Sequence, residues 1–188
     1  MDRYDYNLRD ALQLDLISNK QTESILFQII QAFYILQKYL GLIQGDAGPG
    51  NIVLKKIPQK GHWEYIIDGI TYYVPSTGYK AVVIDFGTSV MKDFNIRTKT
   101  IKGCLYDDPY NENYYLEEII NPKEHLYFIL LFNKIPKINK FINKYIKTHK
   151  GVITIIDSGP TPKHTLSILF EEKYKKKPKD ILLDKFMS

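Results

Sequence analysis

Apolar residues recur at steps of three and four from Leu26 onward: Leu26, Ile29, Ile30, Phe33, Leu36 and Leu40. One face of a helix over about Thr22 to Leu40 is therefore apolar. Ser18 with Gln21 three residues later forms a capping-box pattern ahead of it, and Gly41 supplies a stop. The pattern then breaks. Leu42-Ile43-Gln44-Gly45-Asp46-Ala47-Gly48-Pro49-Gly50-Asn51 is dense in glycine and proline, which predicts a loop. Ile52-Val53-Leu54 reads as a short buried strand. Trp63 to Ile67 and Ile70 to Val74 read as two strands joined by Asp68-Gly69, a dipeptide suited to the positive φ angles of a tight hairpin. Pro75-Ser76-Thr77-Gly78 is a further turn. Ala81 to Ile84 is a strand that Asp85-Phe86-Gly87 ends. The remainder reads as helical. Leu126, Ile129, Leu130 and Asn133 predict a helix from near Pro122. Ile138, Phe141, Ile142, Tyr145 and Ile146 predict a second, ending by Gly151. Pro160-Thr161-Pro162 opens a third with Pro162 in its first turn. The expected architecture is helices around a few short strands in the first half.

Composition narrows the class. The 188 residues are 44% hydrophobic and 25% charged, enough apolar material for a real core and unlike a disordered chain. Cys104 stands alone, so no intramolecular disulfide can form, which fits a reducing compartment. The first residues are polar, without the apolar stretch of a signal peptide. The longest apolar run, Leu126 to Phe132, is too short to span a bilayer. A soluble, cytoplasmic protein with no membrane partner is expected. The net charge of +5 gathers in Lys134 to Lys150 and Lys173 to Lys179. Such runs can touch nucleic acid or an acidic partner, but a solvated basic tail is the plainer reading, and nucleic acid is not the expected partner.

Two short motifs carry the candidate chemistry. Asp46, four residues and Asn51 lead into one apolar strand; Asp85-Phe86-Gly87 ends another. Either alone reads as turn chemistry, because Asx side chains bond their own backbone. In this order, after a long amphipathic helix and on either side of a hairpin, they match the catalytic and magnesium loops of protein kinases. Phosphoryl transfer needs these residue types. An aspartate orients the attacking hydroxyl and accepts its proton, while an asparagine and a second aspartate offer hard oxygens to magnesium. The four histidines, His62, His125, His149 and His164, lack zinc-ligand spacing. There is no nucleophile elbow and no P-loop. Trp63, Tyr72 and Tyr73 read as packing rather than as base-stacking groups.

Gln44 to Leu54 resembles the His-Gly-Asp-x-x-x-x-Asn loop of atypical kinases. Tyr72 to Tyr79, followed by Val82-Val83-Ile84-Asp85-Phe86-Gly87, is similar to serine/threonine kinases of large DNA viruses, relatives of the haspin-like kinases. The likeness covers roughly Met1 to Leu130 and is specific from Leu42 to Ser89. It implies a mainly α fold with short β-strands, a protein-kinase-like C-terminal lobe lacking the N-lobe, as one truncated domain over 1–188. Residues 1–16 would hold the hinge remnant (Met1 to Asp5) and a first helix (Leu8 to Leu16), 17–134 the catalytic core and 135–188 a basic helical part. It also implies that Asp46 is the catalytic base, that Asn51 and Asp85 bind Mg2+, and that Val53, flanked by Ile52 and Leu54, packs beneath the adenine of ATP. Lys92 to Asp108 would be the activation segment. The implied reaction moves a phosphoryl group from Mg-ATP to a protein hydroxyl, with a protein substrate and a separate N-lobe chain or binding partner as expected partners.

The sequence departs from the family in several places. No glycine-rich loop, strand lysine or partner glutamate precedes the motifs, so weak activity of the isolated chain is expected, since positioning supplies most of the catalysis in this reaction. Gln44 stands where histidine is usual, Gly45 where arginine is, and Gly48 where a phosphate-contacting lysine or histidine is. An Ala-Pro-Glu motif is missing, although Asp107-Asp108-Pro109 lies near its place, and by the resemblance Glu124 would stand in for the aspartate that braces the loop from a later helix. A pseudokinase-type scaffold and an aminoglycoside- or choline-type phosphotransferase are the alternatives.

Overall fold

The computed structural model describes residues 4–46, 48–87, 89–91, 125–133, 135–149, 152–155 and 159–178. The expected activation segment (Lys92 to Asp108), Asp107-Asp108-Pro109, Glu124, Cys104 and Met1 to Arg3 lie outside the described residues.

The chain enters as strand β1 (Tyr6–Asn7) and turns directly into helix α1 (Leu8–Gln13), with Asn7 as N-cap accepting from the Asp10 N–H at 2.8 Å. Of the segment expected to be a hinge remnant, Met1 to Asp5, only Tyr4 and Asp5 are among the described residues; they precede β1, and the Asp5 N–H donates to the Leu54 carbonyl at 3.0 Å. Helix α2 (Asn19–Leu40) starts three residues before the periodicity alone suggests, because the Ser18–Gln21 capping box is formed in both directions. Gly41 ends it in the left-handed region at φ 56°, its N–H bonded to the Leu36 carbonyl. Leu26, Ile29, Ile30 and Phe33 are buried as expected, whereas Leu40 is half exposed beside the C-cap.

Strands β2 (Leu42–Ile43), β3 (Ile52–Lys56), β4 (His62–Ile67), β5 (Ile70–Pro75), β6 (Tyr79–Val83) and β7 (Val90–Met91) follow. They pair antiparallel as β1-β3-β6, β2-β7 and β4-β5. In the β4–β5 hairpin Ile67 faces Ile70 across a two-residue turn, with φ of 48° at Asp68 and 79° at Gly69. Polar side chains of α2 bind the sheets to it. Ser24 Oγ donates to the Pro75 carbonyl at 2.9 Å. Gln28 both donates to the Tyr79 carbonyl at 3.2 Å and accepts from the Ala81 N–H at 2.9 Å. Buried backbone groups at a strand edge require partners, and these two residues supply them.

The described part of the second half holds helices α3 (His125–Leu130), α4 (Pro136–Tyr145), α5 (Pro162–Leu166) and α6 (Glu172–Tyr174), with a π-helical turn over Ser167–Glu171 between the last two. Thr161 caps α5 and Pro162 sits in its first turn. The second expected helix stops at Tyr145, ahead of Gly151 as expected. Ile146, expected on its apolar face, begins a strand instead, and β8 (Ile146–His149) pairs with β9 (Val152–Ile155). The β-branched residues Ile146, Thr148, Val152, Ile153, Thr154 and Ile155 favour the pleated conformation. The core joins both halves. The Phe27 ring packs within 5.2–5.7 Å of Tyr65, Tyr72, Phe170 and Tyr174, centroid to centroid.

Candidate functional site

Strand pairing places the two motifs together. Ile52 lies opposite Val83 in the β3–β6 ladder, and one further bond, from the Ile84 N–H to the Asn51 carbonyl at 2.9 Å, extends the pairing beyond both strand ends. Asn51 is thereby held beside the junction with Asp85, although a hairpin and two turns separate them in sequence.

The loop between β2 and β3 folds on its own hydrogen bonds. Gly45 turns it at φ 82°, a region open to glycine. The Gly48 N–H donates to the Asp46 carbonyl at 2.7 Å, the Asn51 N–H donates to the Gly48 carbonyl at 2.9 Å, and Pro49–Asn51 form a single 3-10 turn. Asn51 Nδ2 donates to both the carbonyl and Oδ2 of Asp46, at 2.8 and 2.9 Å. The expected base, Asp46, is exposed to solvent. Asn51 spends its amide nitrogen on Asp46, and among the described residues its Oδ1 accepts no hydrogen bond. Asp85 adopts φ 59°, a left-handed conformation that Asp tolerates better than most residues. Its Oδ1 accepts the Gly87 N–H at 3.3 Å, and its Oδ2 accepts nothing among the described residues. Uncommitted carboxylate and amide oxygens on adjoining backbone are the donor set a magnesium ion takes, so these residues fit that ion.

Gln44 ties the motifs together, a role that sequence reasoning missed by treating it only as a replacement for histidine. It is fully buried. Its Oε1 accepts the Asp46 N–H at 2.8 Å, and its Nε2 donates to the Asp85 carbonyl at 2.7 Å and to the Ile84 carbonyl at 3.3 Å. Its own carbonyl accepts the Ser89 hydroxyl at 3.0 Å, a contact made possible by the pairing of Ile43 with Val90. A side-chain amide donates and accepts at once, so one residue can bridge a backbone N–H on one loop and carbonyls on another. The available signal was a polar side chain directly after the apolar pair Leu42-Ile43 and two residues before Asp46.

The three residues expected beneath adenine divide between two faces, as strand alternation requires. Ile52 and Leu54 are fully buried within the main core. Val53 lies on the opposite face, 9% exposed, paired with Asn7 on one side and Val82 on the other. Arg9 is a second residue that sequence reasoning missed. Its guanidinium lies over Gly50, where an added Cβ would come within 3.2 Å of Nη2.

No protein-family model matches the chain. Over 91 residues it is 36% identical to a probable serine/threonine-protein kinase of Invertebrate iridescent virus 6, covering 47% of this chain and 17% of that protein. Over 89 residues it is 32% identical to a candidate serine/threonine-protein kinase of Frog virus 3 (isolate Goorha), covering 46% of this chain and 10% of that protein. Over 87 residues it is 44% identical to an uncharacterized protein of Acanthamoeba polyphaga mimivirus, covering 44% of this chain and 10% of that protein. The chain thus spans between a tenth and a fifth of the length of these relatives. Two of their names point to a kinase-like family.

Proposed function

We propose that this chain is a serine/threonine protein-kinase-like protein, built as the catalytic and magnesium-loop part of such a fold, that moves a phosphoryl group from Mg-ATP to a protein hydroxyl. The observation that carries this is the junction at Gln44, which holds Asp46 and Asp85 in one network with Asn51 hydrogen-bonded to Asp46. The viral relatives named as serine/threonine kinases support it. Asp46, exposed and held by Asn51, would orient an incoming hydroxyl and take up its proton. Asn51 Oδ1 and Asp85 Oδ2 would hold the magnesium ion, which supplies charge neutralisation for the phosphates. Val53 would meet the base, with Ile52 and Leu54 anchoring the strand from behind.

Calorimetric titration of the chain with Mg-ATP tests this. Binding should require magnesium and should be lost in Asp85→Ala, and phosphotransfer to a serine peptide should be lost in Asp46→Asn. Equal heats with and without magnesium, or in Asp85→Ala, would overturn the assignment.

A further inference from the structure

Arg9 occupies an odd position for a structural cation. It lies in the first turn of α1, where the helix dipole favours negative rather than positive charge, so the helix gains nothing from it. It is exposed, and among the described residues it forms no ion pair or hydrogen bond. Nearby carboxylates are engaged elsewhere. Asp10 accepts from Asn7 Nδ2 at 2.8 Å, Asp5 accepts the Lys56 N–H at 2.7 Å, and Asp46 accepts from Asn51. Yet the guanidinium is seated on the loop of the candidate site. Gly50 is absent from the positive-φ positions, so its backbone would accept another residue. With Nη2 3.2 Å from a would-be Cβ, a side chain here would shift the guanidinium by a few tenths of an ångström. The loop from Ala47 to Gly50 carries no basic residue of its own.

We propose that Arg9, seated on Gly50, is a specificity-determining residue that reads an anionic side chain, carboxylate or phosphomonoester, close to the acceptor hydroxyl of a protein substrate. Gly50 adjoins Asn51, which binds Asp46. Arg9 and Asp46 therefore border the same short loop, one at Gly50 and the other through Asn51. A peptide whose hydroxyl meets Asp46 and whose chain follows this loop brings a flanking residue under the guanidinium. That planar group, with its five donors, matches carboxylate and phosphate in a two-point contact. It also offsets the repulsion that Asp46 and Asp85 would exert on an acidic peptide. This inference rests on the proposed protein-kinase-like function, since it deepens the substrate class of the same site.

The test is fluorescence anisotropy of labelled serine peptides whose flanking residues are Glu, phosphoserine, Ala or Lys, titrated with the full chain. The Glu or phosphoserine peptide should bind roughly fivefold tighter than the Ala peptide, the scale of one partly exposed charge-assisted contact. A preference for phosphoserine over Glu identifies a phosphate reader, and equal binding identifies a carboxylate reader. Arg9→Glu should erase the preference and favour the Lys peptide. Arg9→Lys should keep part of it, and Gly50→Ala should weaken it. Equal binding of all four peptides to the unaltered chain, or a preference that persists in Arg9→Glu, overturns the proposal. Arg9 is exposed, so thermal melts of its variants should match the unaltered chain. Mg-ATP calorimetry on the same samples separates the two ideas. An Arg9-dependent preference without Asp85-dependent nucleotide binding would remove the phosphotransfer function and leave the acidic-peptide site standing.

Discussion

Removing the Gln44 carboxamide would strip partners from three backbone groups, the Asp46 N–H and the carbonyls of Ile84 and Asp85. Gln44 is fully buried, so those groups have poor access to replacement water. Gln44→Ala should therefore cost about 1–3 kcal/mol in a urea melt. It should also weaken Mg-ATP binding more than a core truncation of equal cost, because it releases both loops at once. Gln44→His should fall between the two. A neutral imidazole has one donor and one acceptor, so it can serve one carbonyl and the N–H but not both carbonyls. Equal Mg-ATP affinity in Gln44→Ala and the unaltered chain would show that the amide supports the fold alone.

Helices α3 and α5 meet through a buried histidine. His125 has no exposed surface, and its Nε2 lies 3.0 Å from Thr165 Oγ1. Its Nδ1 has no partner among the described residues. Burial lowers its pKa to about 3, so the folded state holds it neutral. The folded value lies below the unfolded one of about 6.5, so the unfolded chain takes up the proton first as pH falls. The contribution is intact above pH 6.5 and is lost on acidification toward 3, at about 1.4 kcal/mol per pH unit. Glu171, held low chiefly by the Ser167 hydroxyl and then by Lys175, and Asp68, held low by Lys163, Lys38 and Tyr34, lose their contributions only as carboxylates protonate, near pH 4 and below. Among the described groups with a resolved shift, His125 is thus the one whose contribution falls between pH 7 and 5, the range that urea melts at pH 7, 6 and 5 follow. His125→Gln should flatten the decline across that window, and an unchanged slope in the variant would place the pH sensitivity elsewhere.

Across the whole molecule, one ring connects elements that sequence order keeps apart. Phe27 on α2 touches Tyr65 and Tyr72 of the β4–β5 hairpin, Phe170 of the π-helical turn and Tyr174 of α6. It is fully buried. Phe27→Ala should cost about 3–5 kcal/mol, the usual price of a large cavity. The loss should appear by far-UV circular dichroism and by tyrosine fluorescence at one urea midpoint, since the same ring supports both halves. Two separated midpoints would mean that the hairpin and the C-terminal helices unfold independently.

Local patterns were enough for the elements whose cause is local. The Ser18–Gln21 box, the Gly41 stop and the Asp68-Gly69 turn each follow from the geometry of a few adjacent residues, and α2 and the hairpin stand where those signals put them. The order Asp46, Asn51, Asp85 could also be read along the chain. Patterns failed where a distant partner decided the outcome. Ile146 fits a helix by spacing but belongs to a strand because β9 is there to pair with it. Leu40 fits the apolar face of α2 but lies past the point where that face is covered. Gln44 looked like a mismatched replacement until β3–β6 and β2–β7 pairing brought its two loops to the same amide. Arg9 carried no signal at all, because its place over Gly50 exists only once β1 joins β3 and delivers α1 to the loop. Residue types and periodicity determine caps, turns and apolar faces, which need only neighbours a few positions away. Tertiary structure alone decides which buried polar groups find partners and which charges do not, because those depend on strand pairing between segments that the chain brings together only on folding.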